Sequence, residues 1–264
     1  MHLNFRNVND AFKGMVELFN SDGCYESNNR IGQCKLVETE SRNGPVLMIP
    51  EPVTLTYREP RERVLFNSAR DCNPFFHLYE SLWMLAGRND VAPVAYYASN
   101  MKNYSDDGRL LNGAYGYRWR YARGSQYVKR TYEDNNGTNN VFSDRHDQLD
   151  ILINHLRADP NSRRAVLQMW NVEDDLLKIG GRKLSEEITE RYGHNYDPPS
   201  SKDVCCNLSV MFSIRQTDGM ESIDFGDTHT MKHNYLDMTV TNRSNDMIRG
   251  CLGANYEHFS RLQE

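Results

Sequence analysis

A cysteine and an Arg-Ser-Asn-Asp run lie at the ends of two stretches in which apolar and polar residues alternate. Cys206 precedes the stretch 208–215, and Arg243-Ser244-Asn245-Asp246 follows the stretch 236–242. If the two stretches pair as neighbouring strands, a thiol and a guanidinium group come together. A thiolate is a nucleophile, a guanidinium group binds phosphate, and the amide of Asn255 offers both a donor and an acceptor. These groups would suit an attack on the ring of a pyrimidine nucleotide.

Cys206 has alternatives, which the sequence leaves open. Cys205 is the neighbouring thiol, and only its place in the pleat would separate the two. A cysteine at a strand start is also often a small buried apolar residue. We favour Cys206 because Asn207 and nearby arginines can favour the thiolate, and because Arg243 lies on the candidate neighbouring strand. A cysteine hydrolase that uses Cys206 with a histidine is a further possibility, but no spacing nominates one of the eight histidines.

Arginines at turns and strand ends form a second candidate group. Arg163 and Arg164 follow a turn, Arg243 ends a strand, and Arg42 lies in the turn 41–45. Guanidinium donors match phosphate oxygens in pairs, whereas surface salt bridges are the alternative for any single arginine. Three such sites together favour a phosphate.

Asn255 has two interpretations. Its amide can pair with a uracil edge, which also shows one donor and one acceptor. Alternatively, Asn255 is the N-cap of a helix over 256–264.

Composition excludes several classes of function. The chain has 264 residues, of which 39% are hydrophobic and 25% charged, and its N-terminus shows no signal-peptide pattern. Since no apolar run approaches the roughly 20 residues of a membrane span, we expect a cytoplasmic protein (in the host cytoplasm if it is viral) without a membrane partner. A net charge of −5 gives no broad basic surface, so a nucleic-acid partner is not expected. Six scattered cysteines without a CxxC pair predict no metal site.

The patterns of the chain predict an α+β fold, with helices packed on a mixed sheet, in a single domain over 1–264. Helical spacing indicates helices over 9–19, 74–86 and 147–158. In the second helix, Asn73 is the cap, Gly87 ends the helix, and Glu80 borders an apolar face that consists of Phe75, Leu78, Tyr79, Leu82, Leu85 and Ala86.

Alternation predicts strands over 165–170, 208–215 and 236–242. The last two can pair as a long hairpin, across a polar connection that begins near Asp218-Gly219. Polar insertions at about 123–146 and 174–203, the second with a short helix near 184–191, are typical of lids or partner-binding loops.

Several motifs, taken in order, are similar to those of the thymidylate synthase family, including its phage-type pyrimidine hydroxymethylase branch. The similar stretches cover roughly residues 40–264, and they include 71–87, 112–120, 159–164, 169–171, Cys206-Asn207, 243–246, Gly250 and Asn255. The resemblance implies that Cys206 adds to ring carbon 6 of deoxyuridylate (dUMP), and that carbon 5 then attacks the one-carbon unit of methylenetetrahydrofolate.

The resemblance also implies roles for the other candidate residues. Glu80 would organise proton transfer, and Tyr115 would lie near the cysteine. The implied substrate ligands are Arg42, Arg243 and Ser244, with Arg163 and Arg164 reaching across the interface of a homodimer, and with Asn255 at the base. Asp246 and Gly250 are implied in folate binding.

The sequence departs from the family at three places. Asn207 replaces the usual histidine, and residues 101–103 replace a tryptophan beside the folate. Without that ring, water can capture the one-carbon unit and give a hydroxymethyl product. The resemblance leaves both products open, the methyl group of a thymidylate synthase and the hydroxymethyl group of a dUMP hydroxymethylase. The chain ends before the family's C-terminal portion, which implies a fragment or the need for a partner. Residues 226–229 resemble a sugar-binding motif of that portion, which we take as coincidence. The alternative function is therefore a catalytically silent nucleotide-binding or partner subunit.

Overall fold

The computed structural model describes residues 1–21, 24–27, 30–41, 44–123, 130–133, 139–142, 145–176, 201–222 and 228–264. Its contacts divide the chain into two compact units. The central unit consists of Tyr79–Ser244 with Gln263, and the terminal unit of Met1–Leu78, Asn245–Leu262 and Glu264. A single domain over 1–264 stays a prediction. Within the described ranges, every helix is too short or too polar to cross a bilayer.

The described residues form both helices and strands. The first half comprises β1 (His2–Phe5), α1 (Val8–Asn20), β2 (Cys24–Ser27), β3 (Arg30–Gln33), β4 (Val37–Ser41), β5 (Gly44–Met48), β6 (Thr54–Tyr57), α2 (Pro74–Leu85), α3 (Val91–Tyr97), α4 (Tyr115–Arg120), β7 (Ala122–Arg123) and β8 (Arg130–Glu133). The second half comprises β9 (Asn139–Phe142), β10 (Arg145–His146), α5 (Gln148–Ala158), β11 (Val166–Gln168), β12 (Asn207–Ser222), β13 (Thr228–Asn242) and α6 (Ala254–Gln263). Short 3₁₀ helices cover Ser68–Arg70 and Ser99–Tyr104, and π-helical turns cover Val172–Leu176 and Met247–Cys251.

The terminal unit has its own apolar core, built around α1. Asn7 caps this helix, because its side chain accepts hydrogen bonds from the N–H groups of Asn9 and Asp10. Strand β1 pairs in parallel with β6. The buried core consists of Leu3, Val8, Ala11, Met15, Leu18, Leu65, Leu252 and Tyr256.

The central unit contains an antiparallel sheet in the order β11-β12-β13. Val210 pairs with Val240, and Leu167 pairs with Val210 on the other side. One face of this sheet is buried, with Leu167 and Val210 at 0% exposure. The long hairpin predicted from alternation is confirmed, but it extends further than expected: Asp218-Gly219 lie inside β12, and the connection lies outside the described residues.

The predicted helices over 9–19, 74–86 and 147–158 are confirmed as α1, α2 and α5. The predicted apolar face of α2 is not the side that is buried within this chain. Phe75 and Leu82 are 76% and 57% exposed, whereas Glu80, Ser81, Trp83 and Met84 are buried. Apolar residues surround this helix on most sides, so their spacing does not define which side is packed. The predicted helix near 184–191 lies outside the described residues.

Candidate functional site

Cys206 lies one residue before β12 and is partly exposed. Its sulfur is 3.6 Å from Nη2 of Arg243 and 3.8 Å from Oγ of Ser244. Pairing of β12 with β13 produces this arrangement, since Asn207 opposes Asn242 and the next residue on each side carries the functional group. The sheet thus brings the predicted nucleophile and the predicted anion ligands together.

Cys205 has a different environment. Its side chain is 1% exposed, and its sulfur donates a hydrogen bond to the carbonyl of Asn207 at 3.1 Å. Burial raises the pKa of Cys205 to about 12, which keeps this thiol protonated. Of the two thiols that the sequence left open, Cys206 is therefore the one that adjoins Arg243 and Ser244.

Arg243 is bonded to the segment that carries the cysteines. Its backbone N–H donates to the carbonyl of Cys206 at 3.0 Å, and its Nε donates to the carbonyl of Cys205 at 3.1 Å. The guanidinium carbon also lies 5.6 Å from the ring centre of Trp170. The side chain nevertheless remains exposed, so the group is held in place while part of it can still contact an anion.

Asn207 is fully buried at the start of β12. Its Nδ2 donates to the carbonyl of Thr241 at 3.0 Å and to Oδ1 of Asn242 at 3.1 Å. The register shifts between Asn207 and Ser209, as in a β-bulge. The amide nitrogen of Asn207 therefore holds the first residue of β12 against β13.

The turn before α4 supports the cysteine segment. Asn112 donates to the carbonyl of Asp203 at 3.0 Å, and the N–H of Gly113 donates to the carboxylate of Asp203 at 2.7 Å. A Cβ on Gly113 would lie only 2.8 Å from the backbone nitrogen of Cys205. The close approach of these two backbones thus requires glycine at position 113.

A buried ion pair anchors the same segment. Arg118 donates to both carboxylate oxygens of Asp175, at 3.2 and 3.1 Å, and Asp175 is 0% exposed. The carboxylate also accepts from the N–H groups of Cys205 and Asn171. Further hydrogen bonds of this kind are what a buried pair needs to offset its desolvation.

Sequence reasoning missed most of this support. Asp175 and Asp203 were assigned to a polar insertion over 174–203, but both ends of that range belong to the framework of the site. Residues 177–200 lie outside the described part of the chain. The sequence signal that was available is the similarity of the run 112–120 to the family. In the structure, Arg118 and Trp119 of this run are both buried.

Tyr115, the first residue of α4, adjoins the cysteines. Burial is the largest cause of a pKa well above the ordinary value for Tyr115, followed by the negative charges that Cys206 and Cys205 would carry. The phenol therefore keeps its proton at neutral pH, as a hydrogen-bond donor must. Glu80 is only 6% exposed in α2. Burial of a carboxyl group is costly, which is consistent with a specific role.

Arg163 and Arg164 lie in the loop between α5 and β11, and both are exposed. The backbone of Arg164 is held by Oγ of Ser162, which accepts its N–H at 3.2 Å. Within the described ranges, neither guanidinium group has an ion pair with a carboxylate. Arg42, the other predicted phosphate ligand, lies outside the described residues.

The remaining predicted residues lie in the terminal unit. Asp246 caps the π-helical turn that follows it, since its Oδ1 accepts the N–H of Arg249 at 2.6 Å. Gly250 is buried in this turn. The alternative that Asn255 is an N-cap is wrong, because α6 begins at Ala254 and its N-cap is Gly253. The amide of Asn255 instead donates to Oδ1 of Asn245 at 3.1 Å.

Two further stretches from the sequence analysis, 101–103 and 226–229, have different coverage in the structure. Residues 101–103 lie in a 3₁₀ helix, where Lys102 and Asn103 are exposed. Residues 226 and 227 lie outside the described part of the chain, and Thr228 begins β13.

Comparison with known proteins identifies similar sequences over most of the chain. The family model described as "Thymidylate synthase" matches residues 68–261. A deoxyuridylate hydroxymethyltransferase of Pseudomonas phage M6 is 43% identical over 228 residues, which are 86% of this chain and 48% of that protein. Proteins of the same name from Bacillus phage SP01 and Delftia phage PhiW-14 are 33% and 27% identical, over 81% and 85% of this chain and 43% and 48% of their own lengths. The chain thus spans about half the length of the curated relatives it matches.

Proposed function

Because the chain belongs to the thymidylate synthase family, we propose that it transfers a one-carbon unit to carbon 5 of dUMP through a covalent adduct at Cys206. One observation carries the proposal: the sulfur of Cys206 lies 3.6 Å from a guanidinium nitrogen of Arg243 and 3.8 Å from the hydroxyl of Ser244. A nucleophile beside an anion ligand is what covalent attack on a nucleotide requires.

The side chains of the central unit have distinct roles in this proposal. The thiolate of Cys206 adds to ring carbon 6, and carbon 5 becomes nucleophilic as a result. Arg243 and Ser244 bind the phosphate, for which their exposed donors are suited. Tyr115 donates a hydrogen bond from a phenol that keeps its proton. Glu80 directs proton transfer at the ring, and loss of Cys206 from carbon 6 releases the product.

Methylenetetrahydrofolate is the proposed co-substrate, and when bound it supplies the one-carbon unit. The residues present fit such a group. Asp246 is exposed, and its cap bond to Arg249 fixes the carboxylate while one oxygen remains to accept the N–H groups of a pterin ring. Gly250 keeps a side chain out of the same turn.

We further propose a hydroxymethyl product. The three relatives reported above are named deoxyuridylate hydroxymethyltransferases. Residues 101–103, which stand where the family has a tryptophan, provide no aromatic ring to exclude water. A silent partner subunit is the less favoured alternative, because these relatives carry the names of enzymes. The proposed assembly is a homodimer in which the exposed Arg163 and Arg164 bind phosphate in the partner's site.

Release of tritium from 5-tritiated dUMP in the presence of methylenetetrahydrofolate tests the proposed reaction. We expect release from the unsubstituted chain, a nucleotide product with the mass of hydroxymethyl-dUMP, and no dihydrofolate, since only the reductive route oxidises the folate. Cys206→Ser should abolish release, whereas the matched control Cys205→Ser should retain it. No release at saturating ligand, or equal loss in both variants, would contradict the proposal.

A further inference from the structure

The amide of Asn255 is held by a second asparagine. Nδ2 of Asn255 donates to Oδ1 of Asn245 at 3.1 Å, and both residues belong to the terminal unit. The chain between them folds back through the turn capped by Asp246. Gly250 N–H donates to the carbonyl of Asp246, and Gly253 N–H donates to that of Gly250. The contact therefore depends on the local fold of residues 245–255.

Gly250 provides the space for this contact. A Cβ at position 250 would collide with Oδ1 of Asn245, and it would lie 3.0 Å from the Cγ of Asn245 and 3.4 Å from Nδ2 of Asn255. Any larger residue at position 250 would displace the end of the Asn245 side chain. The absence of a side chain at Gly250 and the hydrogen bond between the two asparagines are thus coupled.

The orientation of an asparagine amide decides which pyrimidine it can pair with. Uracil presents an N–H donor and a carbonyl acceptor, whereas cytosine presents a ring-nitrogen acceptor and an amino donor. An amide turned over by half a rotation exchanges its donor and its acceptor, so that one asparagine can serve either base. While Nδ2 of Asn255 is bonded to Asn245, a turned amide would bring two oxygens together unless Asn245 turned as well.

We propose that Asn245 is a positioning residue that sets the base preference of this chain. By accepting a hydrogen bond from Asn255, it holds that amide with Oδ1 free to accept the N–H of uracil and with one Nδ2 hydrogen free to donate to the uracil carbonyl. Cytosine meets the opposite pattern, and its polar groups remain unpaired. The inference rests on the proposed function, because it takes Asn255 as the residue that pairs with the base.

Three variants distinguish the effect of the hydrogen bond that Asn245 accepts from the effect of the size of its side chain. Asn245→Asp keeps an acceptor and removes every donor, Asn245→Leu has a similar size without an acceptor, and Gly250→Ala displaces Asn245 while leaving it in the chain. Titration calorimetry of the full chain with dUMP and with dCMP gives the ratio of the two dissociation constants. Both ligands carry the same sugar and phosphate, so the ratio cancels effects on phosphate binding.

We expect the unsubstituted chain and Asn245→Asp to prefer dUMP, and we expect the preference to fall by about tenfold or more in Asn245→Leu and Gly250→Ala. An unchanged ratio in both of the latter variants, with cooperative unfolding retained, would overturn the role of Asn245. Loss of the preference in Asn245→Asp as well would also overturn it. Failure of the unsubstituted chain to bind dUMP is a different result, which would refute the proposed function itself.

Discussion

Adjacent cysteines at the start of β12 have opposite environments. Cys205 is buried against the backbone of Asn207, and its pKa is raised to about 12, whereas Cys206 is partly exposed beside Arg243 and Ser244. Of the two successive side chains, only that of Cys206 adjoins Arg243 and Ser244, so that only Cys206 is placed to serve as the nucleophile. Arg243 fixes the backbone of both residues, because its backbone N–H donates to the carbonyl of Cys206 and its Nε donates to the carbonyl of Cys205. The two side chains therefore keep their different environments.

Selective alkylation should report this difference. At about pH 8, iodoacetamide is expected to modify Cys206 and to leave Cys205 unmodified, since a buried thiol with a raised pKa supplies almost no thiolate. Fragmentation of the peptide that contains both residues, followed by mass spectrometry, assigns the label to one sulfur. Saturating dUMP should protect Cys206. Labelling of Cys205 at a comparable rate would contradict the assignment.

The base preference gives a second prediction for a single residue. Asn255→Asp should relax or invert the preference of the chain for uracil, because a protonated carboxyl group can pair with the ring nitrogen and amino group of cytosine. Competition between dUMP and dCMP in the tritium-release assay measures the change. Asn4→Asp is a suitable control, since Asn4 is exposed in β1 and has no proposed contact with the base. Unchanged discrimination in Asn255→Asp would refute the role of Asn255.

Among single residues, the pair Cys206 and Arg243 could be predicted because strand alternation and pairing follow simple rules. The bond from Asn255 to Asn245 could not. It depends on a π-helical turn over Met247–Cys251, and no local propensity indicates such a turn. Likewise, the preference of asparagine for N-cap positions pointed to Asn255, whereas Gly253 occupies that position.

Among elements, α4 and the turn before it position the cysteine segment. Asn112 and Gly113 bind Asp203, and Arg118 holds Asp175, which in turn accepts the N–H of Cys205. The nucleophile thus depends on contacts from segments about 30 and 90 residues away in the chain. Packing of this kind places a reactive group more accurately than a loop alone.

Removal of the buried carboxylate should destabilise the protein strongly. Asp175→Asn removes the carboxylate that binds Arg118 at two points and leaves the more distant buried Asp174, at 3.9 Å, as its charged partner. We expect a loss of about 3 kcal/mol in the free energy of unfolding. Asp237→Asn is the matched control, because Asp237 makes a two-point pair with Arg215 on the surface. This exposed pair should contribute less than about 1 kcal/mol. Urea denaturation of both variants measures the difference, and equal losses would contradict the distinction.

Prediction of the elements succeeded where periodicity alone decides the structure. Helices α1 and α5 and the β12–β13 hairpin follow from 3.6-residue and two-residue spacing. The packed side of α2 could not be predicted in the same way, since Phe75 and Leu82 are exposed while Glu80 is buried. The role of Asp175 was hidden for a related reason: a buried charge is stabilised by partners that are distant in sequence.

Across the whole molecule, several buried thiols and phenols hold their protons more tightly than they would in an unfolded chain. Burial raises the pKa of Cys205 and Cys251 to about 12 and that of Tyr57, Tyr115 and Tyr256 above the ordinary value. The unfolded chain loses these protons from about pH 9 upward, which favours the unfolded state. The contribution of these groups to the free energy of unfolding is therefore fully present below about pH 9, and it decreases as the pH rises further.

Alkaline conditions should consequently lower the stability of the protein. We expect the urea midpoint to fall between neutral pH and about pH 10, and we expect a smaller fall in the double variant Cys205→Ser/Cys251→Ser, which lacks the two buried thiols. Circular dichroism follows the unfolding at each pH. A midpoint that stays constant or rises with pH would contradict the prediction.

In the proposed dimer, each active site would need residues of both subunits, because Arg163 and Arg164 would bind phosphate in the partner's site. They are exposed and, among the described residues, have no carboxylate partner, which leaves them available to an anion. Shared sites would allow complementation between subunits, which is impossible if each site is built from one subunit. Two inactive variants could restore activity to each other if each subunit supplied the part that the other lacks.

Mixing Cys206→Ala with the double variant Arg163→Ala/Arg164→Ala tests whether the arginines act across the interface. In a mixed dimer with shared sites, one site lacks both parts and the other is intact. Random exchange of equal amounts should therefore restore about one quarter of the unsubstituted activity. If the arginines act within their own subunit, both sites of the mixed dimer are defective and the mixture stays inactive. Light scattering must show a dimer before and after exchange, and Cys206→Ala mixed with Cys206→Ala/Cys205→Ser is the control that should regain nothing.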